Sequence, residues 1–133
     1  MKSSIKIILI ILLSVPCFSF RNIKFPPESC LESLKNGKFV YNGALPGSYI
    51  EREGDKQTEF ADGGKSKIIS KVEWITASHY RLTILKLVNC EGSPVKKKDI
   101  IDVEILECNE AFYTCKIVFK SLAPIFAKYE VMK

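Results

Sequence analysis

Apolar and polar residues alternate along most of the chain, which is the pattern of half-buried β-strands. Phe39 and Tyr41 share one face of the first such segment, and Val103 and Ile105 share one face of a later one. Turn-forming pairs such as Asn42-Gly43 separate the segments. The pattern predicts eight strands, at residues 38–42, 48–53, 56–61, 68–76, 80–88, 101–106, 113–120 and 127–132.

One short stretch before these strands has a helical spacing instead. Cys30, Leu31 and Leu34 lie on one face if residues 28–35 form a helix, and Asn36-Gly37 is a typical helix stop. The sequence therefore predicts a single N-terminal helix of about two turns.

The predicted strands follow one another without a helical crossover, so the sheet is expected to be antiparallel. A twisted sheet of about eight strands tends to curl, and closure removes its edge strands. We predict an all-β fold with one short N-terminal helix. Its sheet is an up-and-down meander in a small closed or partly closed barrel. The alternative is a two-layer β-sandwich.

The first residues have the pattern of a secretory signal peptide. Lys2 and Lys6 precede an apolar run at residues 7–13, which is too short to span a bilayer comfortably. Small residues near Ser19 favour cleavage after that position. The sequence therefore predicts a signal peptide at 1–19, an extended leader at 20–27 and one β-barrel domain at 28–133.

Export to the periplasm or the extracellular space follows from this signal. The alternative is an outer-membrane lipoprotein anchored through Cys17, but Pro16 occupies the position where a lipobox has a small residue. Removal of residues 1–19 would lower the formal net charge from +5 to +3, because two of 20 basic residues and no acidic residue are lost. This mild charge does not indicate nucleic-acid binding.

Four of the five cysteines would remain in the exported chain: Cys30, Cys90, Cys108 and Cys115. An even number in an exported domain favours two disulfides. A Cys108–Cys115 bond across a hairpin is the first expectation, with Cys30–Cys90 as the second bond. Strand alternation puts Cys108 and Cys115 on opposite faces, so this pairing requires a β-bulge near the turn.

No catalytic motif is present in the sequence. His79 is the only histidine, and a solvated or capping role is its expected one. The sequence has no phosphate-binding glycine loop, no zinc-protease motif and no nucleophile elbow. We expect a protein that is not an enzyme, with no catalytic residue, no metal and no cofactor.

The candidate ligand-binding set combines aromatic residues that could face inward with polar residues that either orient a ligand at the mouth of the barrel or are exposed on the strands. A small eight-stranded barrel is either packed by side chains or holds one small ligand. A cavity of several hundred cubic ångströms would favour a carrier, and a packed interior a surface-acting protein. The candidate residues are Trp74, Tyr80, Arg52, Gln57, Tyr113 and Phe119.

The expected partner is a small apolar ligand or a cell-envelope protein. Membrane contact is expected only through the signal peptide or a lipid on Cys17. One alternative function is an accessory of a surface complex, with contacts through Lys96–Lys98 and the edge near Pro124. Another is a small protease inhibitor that acts through the loop at 89–98.

Several short motifs occur in the order found in a family of small exported proteins of Bacteroidetes, especially flavobacteria. Beginning after Cys30, they are Lys35-Asn36-Gly37-Lys38-Phe39-Val40-Tyr41, Ile50-Glu51-Arg52, Gln57-Thr58-Glu59, Lys71-Val72-Glu73-Trp74-Ile75, Tyr80-Arg81-Leu82 and Asp102-Val103-Glu104-Ile105. The chain resembles this family over nearly all of residues 28–133. Its predicted outline is also similar to a lipocalin, although Gly37-Lys38-Phe39 replaces the lipocalin Gly-x-Trp.

Members of the resembled family often carry the label DNA topoisomerase IV. A chain of 133 residues has no room for the ATP-binding and nucleophilic-tyrosine domains of such an enzyme. The family often has a cysteine four residues after the tryptophan, which pairs with the first cysteine. Here Ser78 takes that position. The resemblance therefore makes Cys90 or Cys115 the candidate partner of Cys30.

Overall fold

The structure is a computed structural model, and it describes residues 25–133. The predicted signal peptide, Cys17 and the first part of the leader lie outside the described residues. The described part contains one short α-helix, eight strands and a 3-10 turn at Asp62–Gly64. The elements are α1 (Glu28–Ser33), β1 (Gly37–Tyr41), β2 (Tyr49–Glu53), β3 (Lys56–Ala61), β4 (Ser66–Trp74), β5 (His79–Val88), β6 (Ile100–Cys108), β7 (Phe112–Phe119) and β8 (Ile125–Val131).

The eight strands form one closed antiparallel barrel. Each strand pairs with the next one in the chain, and β1 pairs with β8 through the partners Phe39 and Val131. The predicted all-β meander with one N-terminal helix is confirmed. Closure also excludes the two-layer sandwich, because all the strands belong to a single sheet.

Helix α1 covers one end of the barrel, which we call the closed end. Leu31 and Leu34 point from the helix and the residue after it into the core. Gly37 then starts β1 with a φ of +136°, and a Cβ there would lie only 3.3 Å from the ring of Phe39. Glycine allows this backbone geometry and the close approach of the ring. The chain can therefore enter the barrel directly after the helix.

The opposite end, which we call the open end, carries the longer connections. They are the segments at 42–48, 62–65, 89–99 and 120–124. The helix α1 lies at the other end, so it does not cover the open end. Within residues 25–133, no helix is long and apolar enough to cross a membrane.

The disulfide joins Cys30 to Cys108, with the two Cα atoms 6.0 Å apart. Neither predicted pair forms, and the partners suggested for Cys30 through the resemblance were also wrong. Cys90 and Cys115 are free thiols. The bond connects α1 to the end of β6 and so fastens the helix over the closed end. The bond is typical of an oxidising, exported location.

A β-bulge explains why Cys108 bonds to Cys30 and not to Cys115. The register of β6 against β7 shifts between Ile105 and Glu107, so Cys108 pairs with Tyr113 and Cys115 pairs with Ile105. The expected bulge is present, but it turns Cys108 toward α1 rather than toward Cys115. Cys115 lies deeper in the barrel and is buried there.

Candidate ligand-binding site

Four of the six predicted site residues form one buried cluster near the closed end. Arg52 donates two hydrogen bonds to Oε1 of Gln57, from Nε at 3.0 Å and from Nη2 at 2.8 Å. Nη2 also lies 3.0 Å from the hydroxyl of Tyr80 and 3.4 Å from that of Tyr113. Nη1 donates to the backbone carbonyl of Leu34 at 2.6 Å, where the chain leaves α1. We call these five residues the arginine cluster.

Two aromatic rings also enclose the guanidinium of Arg52. Its central carbon lies 5.0 Å from the ring centre of Phe39 and 4.6 Å from that of Tyr80. Burial lowers the pKa of Arg52, but the neighbouring Tyr80 and Tyr113 outweigh this effect, and the pKa is raised overall. Arg52 is only 1% exposed. Its donors are directed to groups of the chain itself, so the arginine cluster fills the closed half of the barrel.

The other two predicted site residues lie outside the arginine cluster. Trp74 is half-buried beside it, with its ring 4.9 Å from that of Tyr80 and its Nε1 buried without a hydrogen-bond partner. Phe119 ends β7 at the opposite end of the barrel, and the ammonium of Lys120 lies 4.8 Å from its ring centre. The six residues therefore do not surround one common cavity.

A pocket of about 330 Å³ lies at the open end, between β1, β2, β3, β4 and β8. This volume is at the lower end of the range of about 300–1,000 Å³ that is usual for small-molecule sites. The residues that line it from the inner face of the barrel are mainly apolar and aromatic. They include Tyr41, Ile50, Glu59, Ala61 and Tyr129.

A second, smaller cavity of about 70 Å³ lies deeper in the barrel. It shares Ile50, Glu59 and Tyr129 with the open-end pocket, and it reaches Gln57 and Tyr80 of the arginine cluster. The two spaces therefore adjoin, and the arginine cluster forms their floor. Tyr80 and Gln57 are the predicted site residues that border this inner cavity.

Glu59 is the charged side chain common to both spaces. It is half-buried, and it lines both the pocket and the inner cavity. No hydrogen bond or ion pair with another residue in 25–133 satisfies its carboxyl group. Burial raises the pKa of this carboxyl, and the positive charge of Arg52 opposes that rise. Glu59 is thus the polar group most available to a ligand.

Three neighbouring tyrosine rings connect the two halves of the barrel. The ring of Tyr129 lies 5.2 Å from that of Tyr113 in the arginine cluster and 5.7 Å from that of Tyr41 in the pocket. Burial raises the pKa of Tyr129, so its hydroxyl stays protonated at neutral pH. Tyr41 and Tyr129 give the pocket an aromatic wall beside Glu59.

A separate charged group lies on the outer surface. Asp102 accepts a hydrogen bond from Nε of Arg81 at 2.9 Å, and its carboxyl lies 3.2 Å from Nε2 of His79. Burial raises the pKa of Asp102, but hydrogen bonds to Arg81 and His79 outweigh it and lower the pKa overall. The residues in 25–133 contain no group of three or more His, Cys, Asp or Glu side chains arranged to hold a metal.

Sequence reasoning did not select the main residues of the pocket. Glu59, Ile50 and Tyr129 were not in the predicted site, although strand alternation contains the signal for one of them. Gln57 is buried in the barrel, and Glu59 follows two positions later on the same strand, so alternation places it on the inner face as well.

Comparison of the chain with protein-family models, with curated proteins and with solved structures found no match. The resemblance to small exported proteins of Bacteroidetes stays a prediction.

Proposed function

We propose that this protein is an exported, non-catalytic carrier that binds one small organic molecule at the open end of its barrel. The observation that carries the proposal is the pocket of about 330 Å³, which adjoins an inner cavity of about 70 Å³. The pocket opens to solvent, so a small molecule can enter it without unfolding of the barrel. Its volume and its apolar and aromatic lining support binding of a ligand.

The division of the barrel supports the same function. The closed half holds a hydrogen-bonded cluster and is fastened by the Cys30–Cys108 bond. A rigid floor of this kind lowers the entropic cost of binding, because the site is already formed. The disulfide also supports export, since such bonds persist in oxidising compartments. The proposed export uses the signal peptide at 1–19, with the lipoprotein anchored at Cys17 as its alternative.

The proposal is tested by binding of prodan, a neutral fluorophore whose emission shifts to shorter wavelength in apolar surroundings. We expect saturable binding of one prodan per chain, with displacement by phenylbutanol. Ala61→Trp places a large ring in the pocket from the inner face of β3, and it should abolish this binding. Thr58→Trp adds the same ring on the outer face of β3 and is the matched control.

Two results would contradict the carrier function. One is the absence of saturable binding by the folded protein, and the other is equal binding by both tryptophan variants. Native mass spectrometry of the exported protein gives an independent check. We expect a bound small molecule that is lost after denaturation, and a chain recovered at its bare mass would count against the proposal.

An envelope partner is the second candidate function. Leu122 and Phe126 are 59% and 67% exposed around the β7–β8 connection. Neighbouring apolar side chains with this exposure often mark a protein contact. The double substitution of these residues by serine should release any partner that co-purifies with the wild-type chain while leaving prodan binding unchanged. Retention of the partner by this variant would contradict a contact at this surface.

A further inference from the structure

We infer that the ligand of the open-end pocket is an organic cation, an apolar body with a protonated amine that pairs with the carboxylate of Glu59. This inference rests on the proposed carrier function and adds the chemical class of the ligand. It follows from the position of one carboxyl group and from the groups around it.

The carboxyl of Glu59 lies where a ligand would have to contact it. It lines both the pocket of about 330 Å³ and the inner cavity, so a molecule that filled either space would touch it. A carboxylate that loses water without gaining a donor costs several kilocalories per mole. A ligand without a donor would impose this cost on binding, whereas an ammonium group would replace the lost water.

The residues in 25–133 offer no counter-ion for this carboxylate. Arg52 is the nearest buried cation, but its donors point to Gln57, Tyr80, Tyr113 and the carbonyl of Leu34. Lys67 also borders the pocket, but its ammonium lies 5.5 Å from the ring centre of Phe60. Among the described residues, neither cation forms an ion pair with Glu59. The carboxylate therefore remains available for a cation from outside.

The aromatic wall also favours a cation. Tyr129 and Tyr41 lie next to each other in the pocket that Glu59 lines, with ring centres 5.7 Å apart. The faces of such rings attract ammonium groups. An anionic ligand would instead bring a second negative charge beside Glu59. A neutral apolar ligand would leave the carboxylate without a donor.

The test compares three probes that share an apolar body and differ in charge: phenylbutylamine, phenylbutanol and phenylbutyrate. Each probe displaces prodan from the wild-type chain at pH 7. We expect the amine to bind about tenfold more tightly than the alcohol, because the hydroxyl can also donate a hydrogen bond to the carboxylate but carries no charge to pair with it. The carboxylate probe should bind most weakly. Equal affinities of the amine and the alcohol, or tighter binding of the carboxylate, would overturn the inference.

Glu59→Gln keeps the shape of the side chain and removes its charge. This variant should lose the preference for the amine over phenylbutanol. The matched control is Glu51→Gln, which makes the same change on the outer face of β2 and should retain the preference. Amine selectivity that survives in Glu59→Gln would overturn the inference, and so would its loss in Glu51→Gln.

The wild-type probe series requires no variant to fold, so it remains decisive if Glu59→Gln is unstable. The outcomes also separate this inference from the carrier function. If prodan and all three probes fail to bind, the carrier function itself is wrong. If they bind without discrimination by charge, the carrier function survives and only the ligand class is wrong.

Discussion

Replacement of Arg52 by Met tests whether the arginine cluster holds the closed half of the barrel together. Methionine keeps most of the length and volume of the side chain between Phe39 and Tyr80, so the change mainly removes the guanidinium. The removed contacts are the five hydrogen bonds to Gln57, Leu34, Tyr80 and Tyr113.

The expected loss can be estimated from the acceptors that remain. Four groups keep their buried oxygens after the substitution, and an unsatisfied buried acceptor costs about 1–3 kcal/mol. The costs of the four unsatisfied acceptors do not simply add. The variant also avoids the cost of removing a guanidinium from water, which offsets part of the loss. We therefore expect the free energy of unfolding to fall by about 3–5 kcal/mol, which lowers Tm by at least ~12 °C for a domain of this size.

Urea unfolding followed by the fluorescence of Trp74 measures this loss, because Trp74 is the only tryptophan and lies 4.9 Å from the ring of Tyr80. Arg52→Lys keeps the charge but not the planar fork, so it should lose most of the same stability. The double variant Arg52→Met with Gln57→Leu should be more stable than the sum of the single effects predicts, by about 1–3 kcal/mol.

Two results would refute this reasoning. A loss below about 1 kcal/mol in Arg52→Met would mean that water or a rearranged neighbour satisfies the acceptors. Wild-type stability in Arg52→Lys would mean that the positive charge alone is needed. The two hydrogen bonds from the guanidinium to Gln57 would then be dispensable. Additive effects in the double variant would show that Arg52 and Gln57 do not stabilise the fold as a pair.

Three further predictions concern the disulfide, the free thiols and Glu59. Replacing Cys30 and Cys108 together by alanine should lower the free energy of unfolding by about 4 kcal/mol, because the disulfide closes a loop with a sequence separation of 78. An unchanged midpoint of urea unfolding would contradict this prediction. In the native protein, Cys90→Ser should remove one thiol that reacts quickly with Ellman's reagent. Cys115→Ser should remove none, because burial raises the pKa of Cys115 to about 12. Rapid labelling of Cys115 would show that the barrel opens. Burial raises the folded-state pKa of Glu59, so the stability that this residue contributes is present below its unfolded pKa near 4.3 and is lost as pH rises through the folded pKa. Glu59→Gln should therefore gain stability relative to the wild type between pH 4 and pH 7, and a constant difference in urea midpoint over this range would contradict the assignment.

The sequence predicts the strands and their order well, because period-two alternation is a local property that each strand carries by itself. The stretch 56–61 was predicted with the bounds that β3 has in the structure. The antiparallel meander follows from short connections between consecutive strands. Closure of the barrel follows from the number of strands and the need to cover sheet edges.

The disulfide shows what local pattern cannot supply. The need for a bulge near Cys108 was recognised from alternation, but its position at Leu106 and its consequence depend on how β6 meets α1. A one-residue shift in register moves a cysteine to the other face of the sheet. The partner of Cys30 depends on the position of the bulge in β6 and on how this strand meets α1. The spacing of the cysteines in the sequence does not predict either feature.

The barrel has two charged side chains that face inward, Arg52 and Glu59. Their surroundings explain why Arg52, a predicted site residue, belongs to the core and why Glu59 is the candidate ligand contact. Arg52 and Glu59 both point inward, and both break the rule that charged side chains avoid the core. Arg52 is satisfied by five contacts within the chain, so it stabilises the fold without a ligand. Glu59 has no such partner among residues 25–133 and lies beside open volume. Natural sequences tolerate a local conflict of this kind mainly where function requires it, which is why Glu59 rather than Arg52 is expected to contact the ligand.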